Sequence, residues 1–119
     1  MLIKFDNGVE VDFDIYDAET ADYYEDIKSN IIAASEEVAQ LAKTKPGEAM
    51  RKVFSVVSEG CDILFGAGMG ERICGNRPNM MTALNVFSKI RDSEDKQVAE
   101  MKKLSDAAVK KYQYHPKKK

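Results

Sequence analysis

The chain has 119 residues, 44% hydrophobic and 32% charged, a balance that suits one globular domain and excludes a disordered chain. The formal net charge of -2 gives no overall pull toward nucleic acid or an anionic membrane, but its distribution is uneven. Residues 1–90 carry nine Lys/Arg against fifteen Asp/Glu, whereas residues 91–119 carry nine against five.

The first sixteen residues predict a β-hairpin. Leu2, Ile3 and Phe5 lead into Asp6-Asn7-Gly8, after which Val9, Val11, Phe13 and Ile15 alternate with Glu10, Asp12 and Asp14. A period of two sends the apolar side chains to one face and the carboxylates to the other. Asn7-Gly8 reads as a two-residue turn, because both residue types tolerate positive φ. Two strands are not stable alone, so the apolar face has to rest on helices.

Asp17 offers an N-cap, and Glu19, Asp22, Glu25 and Asp26 fill the opening turns of a long helix, where the macrodipole favours anions. Tyr24, Ile27, Ile31, Ala34, Val38 and Leu41 recur at spacings of three and four, a seam of about two and a half heptads. That length suits a bundle helix. Thr44-Lys45-Pro46-Gly47 separates it from a second helix with a stripe of Met50, Val53, Phe54, Val57, Cys61, Leu64 and Phe65, closed by Gly66. A glycine-rich connector from Gly66 to Pro78 has room for one helical turn over Glu71–Cys74. Asn76-Arg77-Pro78 opens another helix, with Met80, Ala83, Leu84, Phe87 and Ile90 on its buried side. Arg91–Gln97 contains no apolar residue, which predicts a solvated stretch, and Val98, Met101, Leu104 and Ala108 then resume a weak stripe. The expected architecture is mainly α with a small N-terminal β-hairpin, an α+β helical bundle of three to four helices. Its expected organisation is a hairpin plus helical core domain at 1–90 and a charged helical tail at 91–119, partly solvated or disordered at the end.

No run reaches the roughly 18 apolar residues of a membrane span, and Met1–Asp6 lacks the basic and apolar regions of a signal peptide. Cys61 and Cys74 form neither a disulfide framework nor a CxxC pair, so two reduced, buried thiols in a cytoplasmic protein are expected. Gly66-Ala67-Gly68-Met69-Gly70-Glu71 has the outline of a dinucleotide loop. It places Glu71 where the third glycine belongs, follows a helical pattern in place of a strand, and has no further βαβ unit after it. The carboxylates Asp12, Asp14, Asp22, Glu25, Asp26, Glu36 and Glu37 fall on solvated faces, without the burial that raises a general acid's pKa. The sole histidine, His115, has no metal-ligating or nucleophilic partner in the pattern. The expectation is therefore no enzyme, no metal and no cofactor.

Binding remains. Lys102, Lys103, Lys110, Lys111 and Lys117–Lys119, with Tyr112 and Tyr114, have the ingredients of a nucleic-acid contact. The interspersed Asp92, Glu94, Asp95, Glu100 and Asp106 argue against it, and docking on an acidic protein face fits the charge pattern better. Met69, Met80 and Met81 cluster around the connector beside Phe65. Met80 suits the core, and Met69, between glycines, is expected to be exposed. The expected partner-binding residues are Phe65, Met69, Met81, Lys102, Lys103, Lys110 and Lys111. The Tyr24–Leu41 seam and the hairpin edge are also candidate contacts for a homo-oligomer.

The run Gly8–Ala21 entering a long acidic helix, followed by Ile63-Leu64-Phe65-Gly66-Ala67-Gly68 and Ile73-Cys74-Gly75-Asn76, resembles a family of small proteins from the tail gene modules of Gram-positive phages and prophages. These proteins are similar to tail assembly chaperones. The resemblance covers residues 5 to 90 and implies a helper in the host cytoplasm that binds the tape measure protein and tail-tube subunits during tail assembly. It also implies a frameshifted longer product, for which Lys117-Lys118-Lys119 would be encoded by an adenine-rich slippery run. A minor tail or connector subunit retained in the virion, and a small nucleic-acid-binding regulator, are the competing expectations.

Overall fold

A computed structural model describes residues 1–114, with side chains to Lys111; His115 and Lys117–Lys119 lie outside the described residues, as do the side chains of Tyr112 and Tyr114. Two short strands, β1 (Leu2–Lys4) and β2 (Glu10–Asp12), precede four helices: α1 (Ala18–Leu41), α2 (Pro46–Phe65), α3 (Met69–Cys74) and α4 (Met80–Tyr114). The protein is thus mainly α with a small N-terminal β-hairpin.

The strands pair antiparallel with Ile3 opposite Val11. Beyond them the Phe5 N–H donates to the Val9 carbonyl and the Gly8 N–H to the Phe5 carbonyl, both at 2.9 Å. The turn is therefore a three-residue loop, not the expected two-residue one, and only Gly8 has positive φ, at 90°. That geometry frees Asn7. Its Oδ1 accepts from the Val9 N–H at 3.1 Å, and its Nδ2 donates to the carbonyls of Arg72 and Ile73 at 2.8 and 3.2 Å, tying the hairpin to α3.

Ile3, Phe5, Val11, Phe13 and Ile15 are buried, as the alternation requires. The Phe13 ring meets Tyr24 edge-on at 5.2 Å, so the hairpin's apolar face and the α1 seam share one core. Asp17 caps α1 by accepting from the backbone N–H and the hydroxyl of Thr20, both at 2.9 Å. These bonds hold its carboxyl below the ordinary carboxylate range, the backbone bond first. The seam is buried from Tyr24 to Ala34 and half-open at Val38 and Leu41.

Pro46 opens α2, where its missing N–H costs nothing, and Gly66 closes it at φ 116°. Val53, Phe54, Val57 and Cys61 form its buried side, whereas Met50, expected on that stripe, is exposed near the start of the helix. α1 and α2 approach closely at Gly60, where an added Cβ would lie 2.6 Å from Ile27 Cγ2. The connector is more ordered than a mobile turn. Gly70 lies so near α2 that a Cβ there would fall 2.2 Å from the Ser58 carbonyl oxygen, and its N–H donates to Asp62 Oδ1 at 2.7 Å. Cys61 and Cys74 are both free and buried.

α4 buries Ala83, Val86, Phe87 and Ile90 and does not break at residue 90. The polar run that follows is not solvated throughout: Ser93 and Gln97 are 5% and 2% exposed. The body of the molecule therefore ends at Gln97, and the division at residue 90 does not describe this helix. From Val98 to Lys111 every residue is exposed, and α4 continues as an isolated rod in a molecule measuring 70 × 31 × 21 Å. Among the described residues no helix is long and apolar enough to cross a membrane.

Candidate protein-binding surface

The rod begins at a hydrogen-bonded clamp. Gln97 Oε1 accepts from the Ile15 N–H at 3.0 Å, while Nε2 donates to the Phe13 carbonyl at 2.8 Å and to Ser93 Oγ at 3.0 Å. One amide thus takes the place of a neighbouring strand along the backbone of residues 13–15. Tyr16 braces the next turn, its hydroxyl donating to Glu100 Oε1 at 2.9 Å. One turn earlier, Glu94 accepts from the Tyr24 hydroxyl at 3.1 Å and pairs with Lys28 at 3.0 Å. Burial, and after it the Glu94 charge, push the Tyr24 phenol well above its ordinary value.

Beyond the clamp, the buried side of α4 continues without anything to cover it. Ala83, Val86, Ile90, Ser93 and Gln97 are followed at the same spacing of three and four by Met101, Leu104 and Ala108. Val98 and Val109 lie on one edge of this stripe. Val98, Met101, Leu104 and Val109 are all large apolar residues in solvent, Leu104 at 64% exposure. At about 100° per residue, Lys102 and Lys111 flank the stripe on opposite sides, and Lys103 and Lys110 occupy the back of the helix. A helix of this length is marginal in water by itself, and an amphipathic one gains its stability by packing. The arrangement suits insertion into, or cover of, another apolar helix surface bordered by carboxylates.

The residues expected to bind partners fall in three places. Phe65 packs edge-on against Phe13 at 6.1 Å and fills core space. Met69 is half-buried against the core, not exposed, because α3 folds back onto α2, and Arg72 Nη1 lies 3.6 Å from its sulfur. Met81 is 63% exposed at the start of α4, roughly 32 Å along the helix from Lys102. Lys102, Lys103, Lys110 and Lys111 share the rod. The structure therefore does not join Phe65, Met69 and Met81 to the lysines in one site. It adds Val98, Met101, Leu104 and Val109, whose periodicity is visible in the sequence but whose exposure is not.

A separate cavity of about 290 Å³ lies between the hairpin loop, α3 and α4, with Phe5, Asn7, Cys74, Asn85 and Lys89 among its walls. Lys89 pairs with Asp6 at 3.3 Å beside it. Within the core, its hydrogen bond with Cys74 and then burial push the Cys61 thiol up. Among the described residues, no three His, Cys, Asp or Glu side chains are grouped to hold a metal ion.

No curated protein and no solved structure matches the chain. A family model does match it, over residues 7–119, a span that takes in β2, all four helices and the whole of the rod. The chain belongs to this family, a family of unknown function (DUF6673).

Proposed function

We propose that this protein is a non-catalytic assembly helper of the phage tail-chaperone type, acting in the bacterial cytoplasm by binding tape measure and tail-tube proteins. The observation that carries the reading is the rod, an apolar stripe flanked mainly by lysines that leaves the body and is exposed at every residue from Val98 to Lys111. A stripe of this kind on a monomer marks an interaction surface. Its root is fixed by Gln97, so the helix is presented in a defined direction. The family match includes the rod, which supports treating it as part of the working unit and not as an appended tail.

In this reading Met101 and Leu104 supply most of the contact, while Lys102 and Lys111 select acidic borders on the partner. Co-expression with the tape measure protein of the same gene module tests it. A soluble complex is expected, and Leu104→Glu should weaken it at least about tenfold, since a carboxylate would enter the apolar centre of the contact. Unchanged solubility of the tape measure protein, with no complex, overturns the reading. Mass spectrometry of purified particles separates a chaperone, which is absent from them, from a retained tail or connector subunit.

A further inference from the structure

The rod is one half of an unmatched pair of surfaces. The other is a furrow between α1 and α2 of about 270 Å³, floored by Ile27, Ala33, Ala34, Val56, Gly60 and Ile63. It is a shallow track because small residues line its middle, and Ile63 stands 56% exposed at one end. Glu37 on α1 and Glu59 on α2 border it on opposite sides. Lys52 pairs with Glu37, and Ser55 Oγ donates to Glu59 at 3.1 Å. In all, the two helices that form the furrow carry nine acidic residues against three basic ones.

The two surfaces agree in three independent respects. The furrow runs from Ile27 to Glu37 along α1 and from Lys52 to Ile63 along α2, roughly 15 and 17 Å, and the rod from Val98 to Val109 is roughly 17 Å long. Both have apolar centres. Their borders differ in net sign: Glu37 and Glu59 outnumber Lys52 around the furrow, and from Val98 to Lys111 four lysines outnumber Glu100 and Asp106 on the rod. The rod points away from its own body, so its own furrow is not what it meets. Two rods set face to face would bring together surfaces of the same net sign, four lysines against Glu100 and Asp106 on each, which is unfavourable.

We propose that the rod of one copy lies in the α1–α2 furrow of a second copy, which returns the same contact to form a closed dimer. Each copy then supplies the helix surface that the other's α4 lacks beyond Gln97, in the two-fold manner of exchanged elements. The inference rests on the reading of the rod as a docking helix but not on tail proteins being its partners. In an assembling tail, a partner helix with an acidic border would displace the second copy from the same stripe.

Charge reversal of the full-length chain tests it. One variant carries Glu37→Lys and Glu59→Lys, the other Lys102→Glu and Lys111→Glu, all at surface positions. By light scattering on a sizing column, the wild type is expected at twice 13.3 kDa, with a salt-weakened association. Each variant alone should dissociate at least about tenfold more readily, and an equimolar mixture should recover the dimer, because both contacts in the mixed pair are again complementary. Lys103→Glu with Lys110→Glu, on the back of the rod, should leave the dimer intact. A monomeric wild type across about a hundredfold range of concentration overturns the proposal. So does a furrow variant that dimerises as well as the wild type, or a mixture that stays monomeric. A chain that is monomeric yet binds the tape measure protein refutes the dimer and leaves the proposed function standing; a dimer that ignores the tape measure protein does the reverse.

Discussion

Replacing Gln97 by leucine removes the clamp at the root of the rod while keeping side-chain bulk. The Ile15 N–H loses its 3.0 Å acceptor and is left buried, a cost of about 1–3 kcal/mol. The Phe13 carbonyl loses the 2.8 Å donor but keeps the Met1 nitrogen at 3.2 Å, so its share is smaller, about 1 kcal/mol. Ser93 Oγ retains a contact to Met1 sulfur at 3.2 Å and adds little. Apolar burial of the new side chain offsets about 1 kcal/mol, leaving a net loss of about 1–3 kcal/mol. For a domain of this size that is a fall in Tm of about 4–12 °C. Thermal unfolding followed by circular dichroism gives the number, and amide hydrogen exchange at Ile15 gives the location, which should be the first protected site to open. A melting temperature within about 2 °C of the wild type, with Ile15 still protected, would refute the assignment of Gln97 as the hairpin's anchor.

Three further outcomes are expected. Gly70→Ala should lower the urea midpoint by an amount equivalent to about 2 kcal/mol, although alanine is the better helix former, because the new Cβ meets rigid α2 backbone at 2.2 Å; Gly47→Ala, facing only the movable end of Arg51 at 3.3 Å, should be near neutral. By NMR titration the Asp17 carboxyl should ionise below the value of an aspartate in an unstructured peptide. Since its folded pKa is depressed, its contribution is present above the ordinary carboxylate range and lost as pH falls through the folded value, and Asp17→Asn should abolish that part of the acid sensitivity. The Cys61 thiol, raised by its hydrogen bond with Cys74 and by burial, should react with an alkylating reagent only on unfolding; prompt modification of the native protein would contradict its placement in the core.

The fold was legible wherever apolar spacing carried the information. Val11, Phe13 and Ile15 alternate and are buried, and Tyr24, Ile27, Ile31 and Ala34 recur and are buried. Asp17 is a cap recognisable from its type and position. What escaped is what such a pattern cannot register. Gln97 is buried through hydrogen bonds, and a polar residue in a polar run carries no periodic mark of that. Gly70 reads as flexibility, whereas its role is to have no side chain against Ser58, a fact about a neighbour twelve positions away. The stripe of the rod shows the converse. Its spacing was visible in Val98, Met101 and Leu104, but spacing does not say whether a helix side meets the chain's own core or runs past it.

The clamp also bears on the order in which the molecule comes together. Gln97 joins Ile15 and Phe13 across 82 and 84 positions of sequence. The hairpin therefore leaves the ribosome before the helices, yet its link to α4 waits until Gln97 is made. Two strands have little stability of their own, so their apolar face stays available to α1, α2 and α3 as each is made. The hairpin is then expected to be held first by α1 and by Asn7 on α3, and to gain its link to α4 only when α4 has grown past Ile90. A nascent chain halted before Gln97 would hold a complete α1–α2 pair and a hairpin without its link to α4, which makes this one glutamine the last stitch of the fold as well as the base of the rod.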